Sequence, residues 1–280
     1  YAYREAGNPS NPVLLMIHGV AGSSKLWEGV FPELQEHLRL IAVDLRGHGE
    51  TTYNKPISTL RDYADDIKLF VDALGLKKFN LVGWSLGGGV SLLFAANYPE
   101  YVEKLILHSS ISCKGNPQYK WDEKFQMSSE RITTREEIDT CSVAALTKIL
   151  VNAKNEDGIA ELWKLGVYDH SLMSGKLRDL IVEANYQCRS LVDTAWALNI
   201  FNISNQDNEL AKGTNEISKV KCPVLILAGE NDIVTPGAEK DNKEYLGDLA
   251  EVKMFKETSH FLFVEQKQGF VKEVKEFLRV

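Results

Sequence analysis

Short apolar segments recur along this chain, and longer segments between them carry apolar residues at helical spacing. Continuous apolar runs are typical of strands that are buried on both faces of a parallel sheet. The predicted strands are Val13–Ile17, Leu40–Val43, Phe79–Val82, Leu105–Leu107, Val224–Ala228 and Val252–Phe255. The predicted helices are Leu60–Leu74, Leu86–Asn97 and Phe270–Phe277. Because strands alternate with helices, the pattern predicts an α/β fold with a doubly wound, mostly parallel sheet.

The alternation is interrupted between about Ser112 and Lys219. This stretch has no strand-like apolar run, whereas amphipathic helical patterns cover Glu136–Leu150 and Lys176–Phe201. The stretch is also too long to be a loop. We therefore predict a helical cap at residues 112–219, inserted into a core formed by residues 1–111 and 220–280.

A serine stands between two glycines in Gly83-Trp84-Ser85-Leu86-Gly87, where a predicted strand meets a predicted helix. A sharp turn there forces the serine into an unfavourable backbone conformation and lifts its hydroxyl clear of the sheet. The glycines let neighbouring backbone pass close by. Ser85 is therefore the candidate nucleophile, and the alternative is a serine that only caps the helix.

A serine hydroxyl needs a base, and the base needs an acid that orients it. Asp232 follows the strand predicted to end at Ala228, and His260 follows the last predicted strand. Groups at the carboxyl ends of strands converge on one crevice in an open α/β sheet. We therefore expect Ser85, Asp232 and His260 to meet there, with Glu230 as the alternative acid.

The oxyanion that forms when a serine attacks an acyl group needs preorganised donors. The small residues of His18-Gly19-Val20-Ala21-Gly22 follow the first long apolar strand and allow this loop to fold over the nucleophile. The backbone N–H groups of Val20 and Leu86 are the predicted donors.

Aromatic residues near the nucleophile and in the cap are candidates for the substrate pocket. Trp84, beside Ser85, would present an apolar wall with one N–H donor, although core packing explains it equally well. The substrate-binding candidates are Trp84, Trp27, His108, Trp163, Tyr168 and Trp196, and Tyr186 and Phe201 are further cap aromatics. A large cap favours a semi-enclosed pocket for a small molecule over an open groove.

Taken in order, these motifs resemble the α/β-hydrolase family. The matching pieces are the His18–Gly22 loop, Asp44-Leu45-Arg46-Gly47-His48-Gly49, the Ser85 turn, the Asp232 loop and the His260 loop. The resemblance implies hydrolysis through an acyl-serine without a cofactor, with His260 as base and then acid and Asp232 as its orienter. Related epoxide hydrolases and haloalkane dehalogenases use an aspartate at the position of Ser85, which disfavours both.

We predict a serine hydrolase of the carboxylesterase or lactonase type, acting on small, partly apolar molecules. A carbon–carbon bond hydrolase would use the same triad on vinylogous diketones, and a basic residue aimed into the pocket from the cap would favour it. A haloperoxidase-like perhydrolase and a non-enzymatic small-molecule receptor on the same fold remain open.

Composition and charge limit the kinds of partner that this protein is expected to bind. The chain has 280 residues, is 44% hydrophobic and carries a formal net charge of −7 without a Lys/Arg block. This argues against nucleic acid or an anionic membrane as a partner. The four cysteines are too widely spaced for a zinc motif, which predicts reduced thiols, no metal site and a cytoplasmic location. The chain opens at Tyr1 as if in mid-strand, which leaves open that residues precede it, and the sequence carries no signal for oligomeric state.

Overall fold

A seven-stranded sheet forms the centre of the fold. The structure is a computed structural model that describes residues 1–121 and 126–280. The strands are β1 (Tyr3–Ala6), β2 (Val13–Ile17), β3 (Arg39–Val43), β4 (Phe79–Trp84), β5 (Val102–His108), β6 (Tyr119–Trp121), β7 (Met127–Arg131), β8 (Val224–Gly229) and β9 (Ala250–Phe255). The helices are α1 (Phe31–Leu34), α2 (Leu60–Ala73), α3 (Leu86–Asn97), α4 (Arg135–Cys141), α5 (Val143–Asn152), α6 (Glu156–Lys164), α7 (Gly175–Tyr186), α8 (Leu191–Asn199), α9 (Ala238–Leu246), α10 (Leu262–Glu265) and α11 (Lys267–Leu278). Within the described ranges, no helix is both long enough and apolar enough to cross a bilayer.

The central sheet has the strand order β1-β3-β2-β4-β5-β8-β9. β1 runs antiparallel to β3, and the other neighbouring strands run parallel. Strands β4 and β8 are buried at every position because both faces of the sheet are covered. The predicted mostly parallel α/β sheet is therefore confirmed.

Helices cover both faces of this sheet. Successive side chains of a strand point to opposite faces, and the two faces of β2 accordingly enter different apolar clusters. Leu15 and Ile17 pack in the cluster that includes α2 and α3, whereas Leu14 and Met16 pack in the cluster that includes α1 and α11. The hydrophobic core thus forms two layers, one on each side of the sheet.

Helix α3, which follows β4 directly, is apolar on all sides. Its residues from Leu86 to Ala96 are buried, since α3 packs against β4, β5 and α2. A helix enclosed in this way has no solvent face and needs no polar stripe. The start of α3 therefore lies at the centre of the sheet, where the candidate nucleophile stands.

The chain between β5 and β8 contains α4 to α8 and a separate antiparallel pair of strands, β6 and β7. The expectation that this stretch lacks strands is wrong. The residues of β6 and β7 are exposed or only partly buried. Because these strands pair with each other away from the central sheet, they need no continuous apolar run, and the apolar pattern did not reveal them.

Each of the two long helical patterns predicted in this stretch is divided in two. Glu136–Leu150 corresponds to α4 and α5, which are separated at Ser142, and the Ser142 hydroxyl accepts hydrogen bonds from two backbone N–H groups of α5. Serine is a favourable N-cap, so it begins a new helix there. Lys176–Phe201 corresponds to α7 and α8, whose connection is held to the core by a hydrogen bond of 2.7 Å from the Arg189 N–H to the Gly47 carbonyl.

Candidate active site

Ser85 occupies the turn between β4 and α3 in a backbone conformation that L-residues rarely adopt. Its φ is 55° and its ψ is −117°. The turn is tightly packed, because a Cβ atom at Gly83 would lie 2.2 Å from the carbonyl oxygen of Gly87, and one at Gly87 would lie 2.3 Å from the carbonyl oxygen of Ile17. Non-glycine residues held at positive φ cost energy and are concentrated at functional sites. The strained position of Ser85 therefore marks this turn as a candidate functional site.

His260 and Asp232 form a buried pair beyond the carboxyl ends of β9 and β8. His260 Nδ1 lies 2.8 Å from Asp232 Oδ2, and the two side chains are only 5% and 6% exposed. When Nδ1–H donates to the carboxylate, Nε2 becomes the basic nitrogen of the neutral ring. The backbone is also held, since the His260 N–H donates to the Gly166 carbonyl at 3.0 Å and Trp84 Nε1 donates to the His260 carbonyl at 3.0 Å.

The Asp232 carboxylate is held by several donors besides His260. Oδ1 accepts the backbone N–H groups of Val234 at 2.8 Å and Thr235 at 3.1 Å, and Oδ2 accepts the Thr235 hydroxyl at 2.9 Å. Burial by itself raises the pKa of Asp232, but the charge and hydrogen bond of His260 and the two backbone donors outweigh it and lower the pKa to about 2. Glu230, the alternative acid, is exposed. The structure thus brings Asp232, rather than Glu230, to His260.

The loop after β2 passes directly over Ser85. A Cβ atom at Gly19 would lie 3.2 Å from the Ser85 Cβ. His18, which is fully buried, holds this loop, because its Nδ1 lies 2.7 Å from the Gly19 carbonyl oxygen and its Nε2 accepts the Leu45 N–H at 3.0 Å. Burial also lowers the pKa of His18, which favours the neutral ring that these two bonds require.

The two predicted oxyanion donors belong to segments next to Ser85. Val20 follows Gly19 in the loop and lines the adjoining cavity. Leu86 is the first residue of α3, and the N–H groups of a first helical turn have no partner within the helix. Their role as oxyanion donors stays a prediction.

A cavity of about 380 Å³ opens above these residues, with Ser85 and His260 in its wall. Among the hydrogen bonds of the described residues, none joins Ser85 Oγ to His260. Catalytic contacts of this kind often shorten only when substrate binds. Nucleophile and base candidates therefore share one chamber that is large enough for a small molecule.

The sequence model of the alpha/beta hydrolase fold family matches residues 12–267 of the chain. The chain belongs to the α/β-hydrolase family. It accordingly has the α/β-hydrolase fold, and the resemblance expected from its motifs is confirmed.

Two relatives match nearly the whole length of this hydrolase. A monoacylglycerol lipase of Bos taurus is 28% identical over 288 residues, covering 99% of this chain and 79% of that protein. A 2-hydroxy-6-oxo-2,4-heptadienoate hydrolase of Pseudomonas putida is 26% identical over 279 residues, covering 98% of this chain and 90% of that protein. An uncharacterized protein of Mycobacterium tuberculosis is 38% identical over 109 residues, and this match spans 39% of the hydrolase and only 31% of the mycobacterial protein.

Solved structures of esterases and lactonases share the fold. An esterase from Exiguobacterium antarcticum superposes with a TM-score of 0.77 at 20% identity, covering 99% of this hydrolase and 95% of that chain. An enol-lactonase from Burkholderia xenovorans gives a TM-score of 0.77 at 18% identity, covering 100% and 96%. At these identities the likeness concerns the fold alone.

Two of the predicted pocket residues line the cavity of the hydrolase. Trp84 forms part of the wall beside Ser85, and Trp163 contributes from α6. Trp163 also packs edge-on against Phe261, with ring centroids 5.6 Å apart. The cavity thus lies between the core and the stretch that joins β5 to β8.

Four other predicted pocket residues lie elsewhere. Trp27 and His108 are fully buried and pack in an aromatic cluster with Phe263 and Phe270. The remaining two have other surroundings: Tyr168 is half exposed, and Trp196 packs on the small apolar cluster of Ile132, Ile138, Ala144 and Ala195. Of the two further cap aromatics, Phe201 belongs to the main core and Tyr186 is exposed. The position of an aromatic residue in the sequence therefore did not determine whether its side chain lines the cavity.

The cavity wall also includes apolar residues that the sequence reasoning missed. They include Ile233 and Val234 from the Asp232 loop, Trp121 and Met127 from β6 and β7, Val143 from α5, Leu162 from α6, and Leu165. Ile233 and Val234 could have been found from the sequence, because an apolar pair inside a polar loop is unusual. In the structure both side chains are exposed. The others could not have been found in this way, since their strands and helix ends were not predicted.

Fixed charge is absent from the described wall of the cavity. Among the described residues that line it, none is Lys, Arg, Asp or Glu. An ionised ligand group in a largely apolar chamber would need a paired charge. This wall therefore suits an uncharged ligand.

Proposed function

We propose that this hydrolase cleaves carboxylic esters or lactones of small, partly apolar molecules through an acyl-serine intermediate. The observation that carries the proposal is the hydrogen bond of 2.8 Å between His260 Nδ1 and Asp232 Oδ2, in the same site as the strained turn of Ser85. A serine becomes a nucleophile when an oriented base can take its proton.

In the first half of the proposed reaction, Ser85 Oγ attacks the acyl carbon while His260 Nε2 accepts the hydroxyl proton. The carbonyl oxygen becomes an oxyanion, which the N–H groups of Val20 and Leu86 would stabilise. The bond from the acyl carbon to the alcohol oxygen then breaks, and His260 returns the proton to that oxygen. The products are an acyl-serine and an alcohol, which remains attached to the acyl group when the substrate is a lactone.

In the second half, water takes the place of the alcohol. His260 accepts a proton from the water as its oxygen attacks the acyl carbon, and the proton then goes to Ser85 Oγ as the acid leaves. Asp232 stays ionised because its pKa is about 2, so it can stabilise the imidazolium in both halves. All atoms transferred come from the substrate and water.

The walls of the cavity support an uncharged, partly apolar substrate. The described wall carries aromatic and aliphatic side chains such as Trp84, Trp163 and Leu162 and no side chain with a fixed charge. We further propose that residues 112–219 act as a cap that supplies much of the substrate contact. Trp121, Val143 and Trp163 belong to this segment and line the cavity.

Carbon–carbon bond hydrolysis is a second candidate, favoured by the likeness to the Pseudomonas putida hydrolase. That protein is named for a dienoate, which carries a carboxylate. The described wall offers neither Lys nor Arg to pair with such a group, and this supports the ester or lactone reaction over the carbon–carbon reaction.

The test combines active-site labelling with a substrate screen. Treatment with a fluorophosphonate should modify Ser85, as located by peptide mass spectrometry, and p-nitrophenyl esters or lactones should be turned over. Ser85→Ala should remove labelling and lower turnover by several orders of magnitude. Ser91→Ala is a matched control, because Ser91 is a buried serine within α3, and it should retain both.

Other outcomes would move the function elsewhere. Turnover of a dienone without turnover of esters or lactones would establish the carbon–carbon reaction, and turnover only with hydrogen peroxide would indicate a perhydrolase. Ligand binding without any turnover, by a folded protein whose Ser85 is not labelled, would indicate a receptor.

A further inference from the structure

Asn185, in the last turn of α7, is a buried amide in the wall of the cavity. The residue is 2% exposed, and it lines the cavity together with apolar neighbours such as Leu191 and Ala195. Its carboxamide oxygen has no hydrogen-bond partner within the described structure. A buried polar atom without a hydrogen-bond partner destabilises the folded protein, and a hydrogen bond from a ligand would offset this cost.

The orientation of the Asn185 amide is fixed by its own helix. The Nδ2 group donates to the Ile181 carbonyl at 2.8 Å. A flipped amide would place two oxygens against each other, so the nitrogen must face Ile181 and the acceptor must face away from it. The unpaired atom is therefore an acceptor and not a donor.

The end of α7 lies close to the loop that passes over Ser85. Helix α7 packs against residues 24–30, which follow this loop, and Glu183 accepts a hydrogen bond of 2.5 Å from Lys25. Ala21 itself lines the cavity. Asn185 is thus on the side of the chamber that adjoins the loop over Ser85, which favours contact with a group attached near the ester.

We propose that Asn185 selects substrates that carry a hydroxyl group close to the ester, which would donate its hydrogen bond to the Asn185 carboxamide oxygen. The oxygen is itself buried in the wall, so a donor reaches it only when neighbouring side chains shift, and a hydroxyl requires a smaller shift than a bulky group. A charged donor is disfavoured, because no carboxylate stands among the described lining residues to pair with it. This inference rests on the proposed ester hydrolysis and specifies its substrate class. The hydroxyl can belong to the alcohol part or to the acyl part of the ester.

Two matched substrate pairs test the proposal and distinguish these positions. For the alcohol part, 2-hydroxyethyl butyrate is compared with propyl butyrate. For the acyl part, ethyl 3-hydroxybutyrate is compared with ethyl 3-methylbutyrate. The readout is the ratio of kcat/KM for the hydroxylated ester to that for its methyl counterpart, measured in wild type and in Asn185→Leu. Comparing the ratio between the two proteins cancels the intrinsic reactivity of each ester.

Asn185→Leu keeps the number and branching of the side-chain heavy atoms and removes the acceptor, so one of the two ratios should fall roughly tenfold. The pair that responds shows where the hydroxyl lies. Ser91→Ala is the control: Ser91 is a buried serine of α3 outside the described cavity wall, and both ratios should keep their wild-type values. Asn185→Ala provides a second variant if Asn185→Leu does not fold.

A binding measurement separates this inference from the proposed function. Dissociation constants of the same four esters are measured by ligand-observed NMR on Ser85→Ala and on Ser85→Ala combined with Asn185→Leu. An Asn185-dependent preference for a hydroxylated ester, without turnover by wild type, would support Asn185 as the selective residue and reject ester hydrolysis. Turnover of the plain esters with unchanged ratios in a folded Asn185 variant would leave ester hydrolysis standing and overturn the role of Asn185.

Discussion

Trp84 donates its indole N–H to the carbonyl oxygen of His260 at 3.0 Å, so the residue that precedes the candidate nucleophile holds the backbone of the candidate base. Trp84 is the last residue of β4, whereas His260 lies in the loop after β9. A strand is a rigid support, and a catalytic geometry must be held to within a fraction of an ångström. This hydrogen bond therefore ties the loop of the base to the strand that carries the nucleophile.

We expect Trp84→Phe to lower kcat for ester hydrolysis roughly tenfold, the effect of one neutral hydrogen bond that positions a catalytic group. Trp27→Phe is the matched control. Both tryptophans are almost fully buried, at 1% for Trp84 and 0% for Trp27, but the Trp27 indole N–H has no partner in the described structure. Trp27→Phe should therefore keep kcat. Equal losses of kcat in the two folded variants would show that volume, and not the bond to His260, is responsible.

The choice between the two acids gives a second prediction. Asp232→Asn should lower kcat on the order of 10⁴-fold, because the amide no longer favours the tautomer with its proton on His260 Nδ1. Glu230→Gln should have a small effect, since Glu230 is exposed and His260 Nδ1 is paired with Asp232. Steady-state kinetics on both variants decide the matter, and the reverse ranking would assign the acid to Glu230.

The low pKa of Asp232 predicts an acid-dependent change in stability. Its pKa falls from the ordinary 3.8 to about 2 in the folded protein, so the folded state binds fewer protons than the unfolded state between these values. This contribution to the free energy of unfolding, about 2 kcal/mol, is present above about pH 4 and is lost as the pH falls through about 2.

Urea unfolding of wild type and Asp232→Asn at a series of pH values measures this contribution. The difference in the free energy of unfolding between the two proteins should shrink as the pH is lowered through this window. Glu230→Gln should follow the wild-type curve. Parallel curves for wild type and Asp232→Asn would contradict the low pKa.

Most of the central sheet was predictable because its inner strands are buried on both faces. Such strands must be continuously apolar, which is why the predicted Val13–Ile17 coincides with β2. Helix α3 was equally plain, since the predicted Leu86–Asn97 is the observed helix. By contrast, β6 and β7 are largely exposed, so burial left no pattern in their sequence.

The meeting of the candidate nucleophile, acid and base was predictable because Ser85 stands directly after the buried β4, and Asp232 and His260 lie in the loops that follow β8 and β9 at the same edge of the sheet. The pocket was not predictable in the same way, because its wall joins residues that are distant in sequence. His108 ends β5 beside Trp84, yet its ring lies in the buried aromatic cluster that includes Phe263. Which side of an aromatic cluster faces the cavity depends on packing between the core and the inserted segment, and single-sequence patterns do not report it.

The placement of the cap aromatics leads to a prediction that separates selectivity from chemistry. Trp163 lines the cavity, whereas Trp196 packs within the cap cluster of Ile132 and Ile138. Trp163→Ala removes apolar contact area from the substrate, worth ~25 cal/mol per Å², and should change the ranking of p-nitrophenyl esters of different acyl length. Trp196→Ala removes a tryptophan of equal size from the same segment and should preserve the ranking.

Fluorophosphonate labelling of Ser85 should persist in both of these variants, because the nucleophile and its base belong to the core and not to the cap. The measurement is kcat/KM across the acyl series, with labelling as the check that the site is intact. If Trp163→Ala preserves the ranking in a labelled, folded protein, the inserted segment does not select the acyl group, and its role as a substrate-contacting cap is wrong. If Trp196→Ala changes the ranking as much as Trp163→Ala does, selectivity depends on the packing of the whole cap and not on the residues that line the cavity.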